Sequence, residues 1–134
     1  MKFSTKSTYG LRAIIRLAEN FGQNSLSLAK IAKEEDISLK YLERIFSGLK
    51  KAGLVRSEKG VAGGYVLVEN PKKVNILKVV EALEGKNQPL HCFSGEKKVY
   101  CNPQCSCKVN FVLDRIQSAV NSSLKNIFLS DLIS

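Results

Sequence analysis

No stretch of this 134-residue sequence is long and apolar enough to span a bilayer or to anchor in one, which sets aside membrane-embedded classes. The opening residues, M-K-F-S-T-K, lack the apolar centre of a secretory leader, so a cytoplasmic setting is expected. Histidine occurs once, at His91, which leaves no His/Asp pairing for catalysis. No C-x-x-C follows a strand, and no glycine-rich cofactor fingerprint occurs. A small redox enzyme built on thiols therefore lacks its usual parts, and the chain is not expected to be an enzyme. Acid is scarce as well: 12 Asp and Glu stand against 21 Lys and Arg, a formal net charge of +9.

The basic excess is uneven. Residues 1–60 hold 12 basic and 6 acidic side chains, whereas residues 61–134 hold 9 and 6. Such an excess fits a polyanionic partner, because Lys and Arg displace condensed counterions from a phosphate backbone. The hydrophobic content of 44% is enough for one core, and the length suits one domain with an appended helix.

What is present is organised around residues 38–67. Ser38 stands at a helix N-cap, where its hydroxyl can accept an unpaired backbone N–H. Leu39, Leu42, Ile45, Phe46 and Leu49 recur at helical spacing, with Lys40, Glu43, Arg44, Ser47, Lys50 and Lys51 largely off that stripe. Gly53 ends the helix. Leu54-Val55 and Tyr65-Val66-Leu67-Val68 then read as two strands around a loop containing Lys59, Gly60, Gly63 and Gly64. A polar, basic-faced helix followed by a glycine-rich basic hairpin is the plan of a winged helix-turn-helix. In that plan the helix enters the DNA major groove and the hairpin lies alongside it.

The flanking chain agrees. Residues 5–21 predict a first helix with an apolar stripe of Leu11, Ile14, Ile15, Ala18 and Phe21, capped by Ser4 or Thr5. Leu26 suggests a brief extended segment. Ser27 caps a second helix, L-A-K-I-A-K-E-E, and Asp36-Ile37-Ser38 makes the short turn that a helix-turn-helix requires. Asn75 caps a further helix, I-L-K-V-V-E-A-L-E, stopped by Gly85. A last amphipathic helix is predicted from about Cys107 to Leu132, striped by Val109, Leu113, Ile116, Val120, Leu124 and Ile127. It is longer than so small a domain needs, which favours packing against a second copy. A homodimer would set two reading helices about 34 Å apart on a pseudo-palindromic site. The expected fold is mainly α with a small β wing. Residues 1–85 form the winged helix-turn-helix, 86–106 a cysteine-rich sensor loop and 107–134 a dimerisation helix.

Residues 86–106 have no periodicity, and a structureless stretch of this length is usually functional. Cys92, Cys101, Cys105 and Cys107 are spaced C-x8-C-x3-C-x-C. In a reducing compartment clustered thiols are metal ligands or redox groups rather than disulfides. Soft thiolates suit an iron–sulfur cluster or zinc. Lys97, Lys98 and Lys108 nearby favour the ionised thiolates. His91 lies beside Cys92, which makes ligation by both awkward.

These segments together resemble the Rrf2 superfamily of bacterial winged-helix regulators, and within it the IscR-like iron–sulfur regulators. The carriers are M-K-F-S-T-K-S-T-Y-G-L-R-A, I-S-L-K-Y-L-E-R-I-F-S-G-L-K-K-A-G-L-V, K-G-V-A-G-G-Y, V-V-E-A-L-E-G and I-F-L-S-D-L. The resemblance implies a homodimeric transcription factor whose long last helix forms the dimer interface. It implies that Ser38, Lys40, Tyr41, Glu43 and Arg44 meet bases and phosphates, with Glu43 tuning the operator class accepted. Lys59 matches a minor-groove wing position at which many members carry Arg. Gly60, Gly63 and Gly64 match the turn of the wing, where glycine permits positive φ and close approach to DNA. IscR-like members hold a cluster by three cysteines and a histidine three residues after the last. Cys92 matches the first cysteine, and Cys101 and Cys105 match the other two with altered spacing; Lys108 stands at the histidine position, and Cys107 is the candidate for the fourth ligand in its place. By analogy a [2Fe–2S] cluster is favoured over [4Fe–4S].

The expected function is a DNA-binding transcriptional regulator modulated by a Cys-ligated cluster. The alternatives are a regulator with a structural zinc or a reversible thiol switch, and a basic winged-helix adaptor for RNA or protein.

Overall fold

The computed structural model describes residues 3–60, 63–85 and 108–133. Five α-helices and one two-stranded sheet occur among them: α1 (Thr5–Glu19), α2 (Leu28–Glu35), α3 (Leu39–Lys51), β1 (Val55–Glu58), β2 (Gly64–Leu67), α4 (Ile76–Glu84) and α5 (Lys108–Lys125). The architecture is a winged helix-turn-helix, mainly α with a small β wing.

Local cap chemistry fixes three helix starts. Ser27 Oγ accepts from the Lys30 amide, Ser38 Oγ from the Tyr41 amide and Asn75 Oδ1 from the Lys78 amide, at 3.1, 3.3 and 2.9 Å. Asp36 ends α2 in the left-handed region at φ 54°, and Gly53 follows α3 at φ 76°. Ile37 is buried between α2 and α3, so the turn is pinned to the core.

α1 differs from its predicted pattern. It ends at Glu19, and Phe21 lies beyond it, exposed. Its buried residues are Ser7, Gly10, Ala13, Ile14, Leu17 and Ala18, while Leu11 and Ile15 are only partly covered. The cause is α4. A Cβ at Gly10 would stand 2.5 Å from Leu83 Cδ2, so glycine lets the two helices close this far without displacing the Leu83 side chain. Ser4 occupies the N-cap position but makes no local cap. Its amide and hydroxyl both donate to Glu84 Oε1, as does the Ser7 hydroxyl at 2.7 Å. The last residue of α4 thus satisfies the N-terminus of α1, where a carboxylate also meets the positive end of the helix dipole.

β1 and β2 pair antiparallel, Val55 opposite Leu67 and Glu58 opposite Gly64. Leu26 adds the short extended segment by exchanging hydrogen bonds with Tyr65 at 3.1 and 2.8 Å. Phe46, Ile14, Leu17, Ile31, Leu42, Ile45 and Leu49 fill the core between α1, α2, α3 and the wing.

α5 stops at Lys125 rather than continuing to Leu132. The chain then reverses, and Phe128 pairs with Asn75. The Ile76 amide donates to the Ile127 carbonyl at 2.8 Å and the Leu129 amide to the Val74 carbonyl at 2.9 Å. Leu129 is fully buried with Val74 and Ile76, and a 3-10 turn over Leu129–Leu132 follows. These contacts outweigh helix continuation, because they cover apolar surface and backbone groups left open before α4.

Candidate nucleic-acid interface

α3 divides cleanly into two faces. Leu42, Ile45, Phe46 and Leu49 are buried, whereas Lys40, Glu43, Arg44, Ser47, Lys50 and Lys51 are exposed. Ser38 spends one lone pair on the Tyr41 amide and keeps its O–H free to donate to an acceptor such as a phosphate oxygen. Tyr41 is half-buried, edge-on to Tyr9 with ring centroids 5.8 Å apart. Tyr9 in turn carries the Arg12 guanidinium 5.8 Å from its ring centre. Leu39 departs from the predicted stripe. It is 43% exposed at the first position of α3, because the core is already closed by Leu42 one turn further in.

In the wing, Lys59, Gly60 and Gly63 are exposed, and Gly64 opens β2. Gly60 and Gly64 do not adopt positive φ, which corrects the turn expected for them. Gly64 is required for a different reason. A Cβ there would collide with the Leu26 carbonyl, so glycine admits the third extended segment rather than a turn. The wing is tied to α3 by Lys50, whose Nζ donates to Ser57 Oγ on β1 at 3.2 Å. Ser38, Lys40, Tyr41, Glu43 and Arg44 therefore lie on one helix start, joined by Lys50 to the strand that leads to Lys59.

Two contacts that sequence inspection missed hold this unit. Arg12 donates to the Glu35 carboxylate at 3.0 Å and to the Glu35 carbonyl at 2.6 Å, and Arg16 reaches Glu34 at 2.7 Å. They clamp α1 across the end of α2, one residue before the turn into α3. The signal was an arginine pair at i and i+4 matched by a Glu34-Glu35 doublet.

His91, Cys92, Cys101, Cys105 and Cys107 lie outside the described residues. Among the described residues no group of three His, Cys, Asp or Glu side chains could hold a metal ion. The cysteine segment begins after Gly85 at the end of α4 and runs into α5, whose first residue, Lys108, follows Cys107. No helix among the described residues is long and apolar enough to cross a membrane.

A family model described as Rrf2, an iron-dependent transcriptional regulator, matches residues 3–134. The chain belongs to the Rrf2 family.

Its relatives include two named HTH-type transcriptional regulators. The chain is 36% identical over 134 residues to the HTH-type transcriptional regulator CymR of Bacillus subtilis, covering 100% of this chain and 91% of that protein. It is 33% identical over 135 residues to the HTH-type transcriptional regulator IscR of Cereibacter sphaeroides, covering 99% and 87%. The solved structure of CymR, the global cysteine regulator of B. subtilis, superposes with a TM-score of 0.81 at 35% identity, over 98% of this chain and 95% of that one. These relatives are transcriptional regulators, not enzymes. This Rrf2-family chain is accordingly a DNA-binding transcriptional regulator.

Proposed function

We propose that this Rrf2-family regulator acts in the cytoplasm as a homodimer on a pseudo-palindromic double-stranded operator, and that a group held by its cysteines modulates that binding. The observation that carries the DNA reading is the exposed face of α3, with Ser38, Lys40, Glu43 and Arg44 on a helix start that the core presents outward. The N-terminal residues of such a helix reach base edges in the major groove. Arg44 offers a bidentate fork to guanine and Glu43 an acceptor for cytosine N4, while Lys40 meets phosphate or guanine. Lys59, Gly60, Gly63 and Gly64 bring the wing to the backbone beside it.

The second copy is supported by α5. Leu124 and Ile127 pack onto the core, but Val109, Val112 and Ile116, toward the other end, are exposed on one stripe. An apolar stripe of that kind is normally covered.

The donor set of Cys92, Cys101, Cys105 and Cys107 fits an iron–sulfur cluster: four soft thiolates with cationic Lys97, Lys98 and Lys108 close in sequence. Such a cluster supplies redox and occupancy sensing, and [2Fe–2S] is favoured over [4Fe–4S] by analogy with IscR-like proteins. Because the segment joins the end of α4 to the start of α5, a group bound there acts on both packed helices. A ligand shifts such a balance only by its differential affinity for the two states.

The likeness to CymR, named as a cysteine regulator, favours a second reading in which the same thiols form a reversible redox switch or a structural zinc site. One experiment separates these. Protein purified without oxygen is assayed for visible absorption, iron, sulfide and zinc, and operator affinity is compared with and without metal at one salt concentration. Broad absorption with matching iron and sulfide, and a change in affinity or sequence preference on metal removal, is the expected result. A colourless protein with one zinc per chain, or none, moves the reading to the second. Equal affinity and preference in both states overturns the cluster switch.

A further inference from the structure

Leu39 is the one large apolar side chain on the outward part of α3. It is 43% exposed at the first helical position, directly after the Ser38 cap and one turn before Glu43, which is also exposed. Side chains four apart on a helix lie above one another on the same face. The other exposed side chains of α3 are charged or hydroxylated and have water as a good partner. Leu39 does not, and the fold had apolar alternatives to spare: Leu42, Ile45, Phe46 and Leu49 already complete the buried face.

The major groove contains one apolar recognition element, the C5-methyl group of thymine. A side chain at the start of a reading helix is placed to meet base edges. We infer that Leu39 is a specificity-determining residue that reads a thymine methyl group in each half-site, beside the base met by Glu43. The inference rests on the proposed entry of α3 into the major groove. It adds an apolar contact to a polar pair: Glu43 selects by accepting from an exocyclic amine, and Leu39 selects by covering a methyl that cytosine and both purines lack at that edge. Four residues of helix rise about 6 Å, so the two contacts fall within about two base-pair steps of each other. A tip that covers one methyl group withdraws roughly one methylene-equivalent of apolar surface from water, worth about a fourfold change in affinity.

The test begins with selection of an operator from a random duplex library by the full-length protein. Each thymine of that operator is then replaced singly by deoxyuridine, which removes only the methyl group, and affinities are measured at one salt concentration. One thymine per half-site is expected to cost wild-type protein about fourfold when demethylated, and to cost Leu39→Ala nothing. Leu39→Met keeps an apolar tip and is expected to retain the sensitivity. Equal melting temperatures of the three proteins confirm that only the surface has changed. A deoxyuridine scan without effect on the wild type overturns the proposal, as does an identical loss in wild type and Leu39→Ala. Failure to select any preferred sequence is a different result: it overturns the reading of α3 as the DNA-contacting helix, and Leu39 falls with it.

Discussion

The Arg12 guanidinium holds Glu35 through both its side chain and its backbone, with Nε on the carboxylate at 3.0 Å and Nη2 on the main-chain carbonyl at 2.6 Å. Glu35 is the last residue of α2, so its carbonyl is one that the helix itself leaves unpaired. Arg12 therefore closes α2 at the point where the chain must turn through Asp36. Arg12→Ala is expected to lower stability by roughly 1 kcal/mol, kept small because the pair is partly exposed. Thermal unfolding should register a drop in Tm of about 4 °C. Arg12→Lys keeps the charge but not the fork, and should recover little of the loss. Full recovery by lysine would show that charge alone, not the two-point geometry, sets the contact.

Glu84 gives the fold an acid sensitivity. Burial pushes its carboxyl up, yet the Ser4 and Ser7 hydroxyls, the Ser4 amide and the charge of Lys6 together outweigh that and hold it below the ordinary glutamate value. A group whose folded pKa lies below its unfolded one contributes stability that is fully present above the unfolded value, about 4.3, and is lost as pH falls through the folded value. Melting temperature should thus fall on acidification below about pH 4.3, and Glu84→Gln should flatten that limb while lowering Tm at neutral pH. Ser7 is wholly buried, so Ser7→Ala should cost about 1–2 kcal/mol. Parallel acid limbs in wild type and Glu84→Gln would remove Glu84 from the account.

The parts of this fold that are legible in sequence are those decided within a few residues. The caps at Ser27, Ser38 and Asn75 are such features, and so is the alternation of buried and exposed positions along α3 from Leu42 onward. What escapes inspection is decided across long separations. The buried face of α1 turns on whether Leu83 can approach Gly10, and α5 ends where it does because Phe128 finds Asn75. Arg12 and Glu35 look like ordinary surface charges until the fold brings them together. The candidate DNA-contacting residues are legible as a polar face, but Leu39 is not. Helical spacing alone assigns it to the core, and only the completed packing shows that it is left outside.

Gly64 lets Leu26 bridge to the wing beside β2. A Cβ there meets the Leu26 carbonyl, and the two hydrogen bonds between Leu26 and Tyr65 depend on that approach. Gly64→Ala should force the segments apart and cost about 2–3 kcal/mol in chemical denaturation. Gly60→Ala is the control. Its added methyl meets nothing within 4 Å, so little change is expected. Similar losses in both variants would mean that the Leu26 contact is not what requires glycine at position 64.

Lys40 and Arg44 separate positioning from reading. A base-contacting Arg44 should cost about 1–3 kcal/mol of operator binding when changed to Ala, with relaxed preference at one position. A phosphate-contacting Lys40 should weaken binding to all sequences and reduce the slope of affinity against salt by about one. Titrations of operator and scrambled duplex at several salt concentrations distinguish the two. Unchanged affinity in both variants would show that α3 is not the DNA-contacting helix.

α5 bears on assembly. Val109, Val112 and Ile116 occupy one stripe and are 54%, 53% and 47% exposed, while Phe111 lies off it with the Arg115 guanidinium 5.7 Å from its ring. A second copy seated on that stripe would bury three branched side chains, each worth about 1.5–3 kcal/mol when fully covered. Val112→Glu with Ile116→Glu places two charges where that contact would be, and their desolvation would have no compensation. Sedimentation should then report a folded monomer, with a lower Tm that no longer depends on protein concentration and with most of the operator affinity lost, because half-site contacts no longer add. The converse substitution, Phe111→Ala, lies off the stripe and should leave the dimer intact. A double variant that still sediments as a dimer would place the interface elsewhere on the chain.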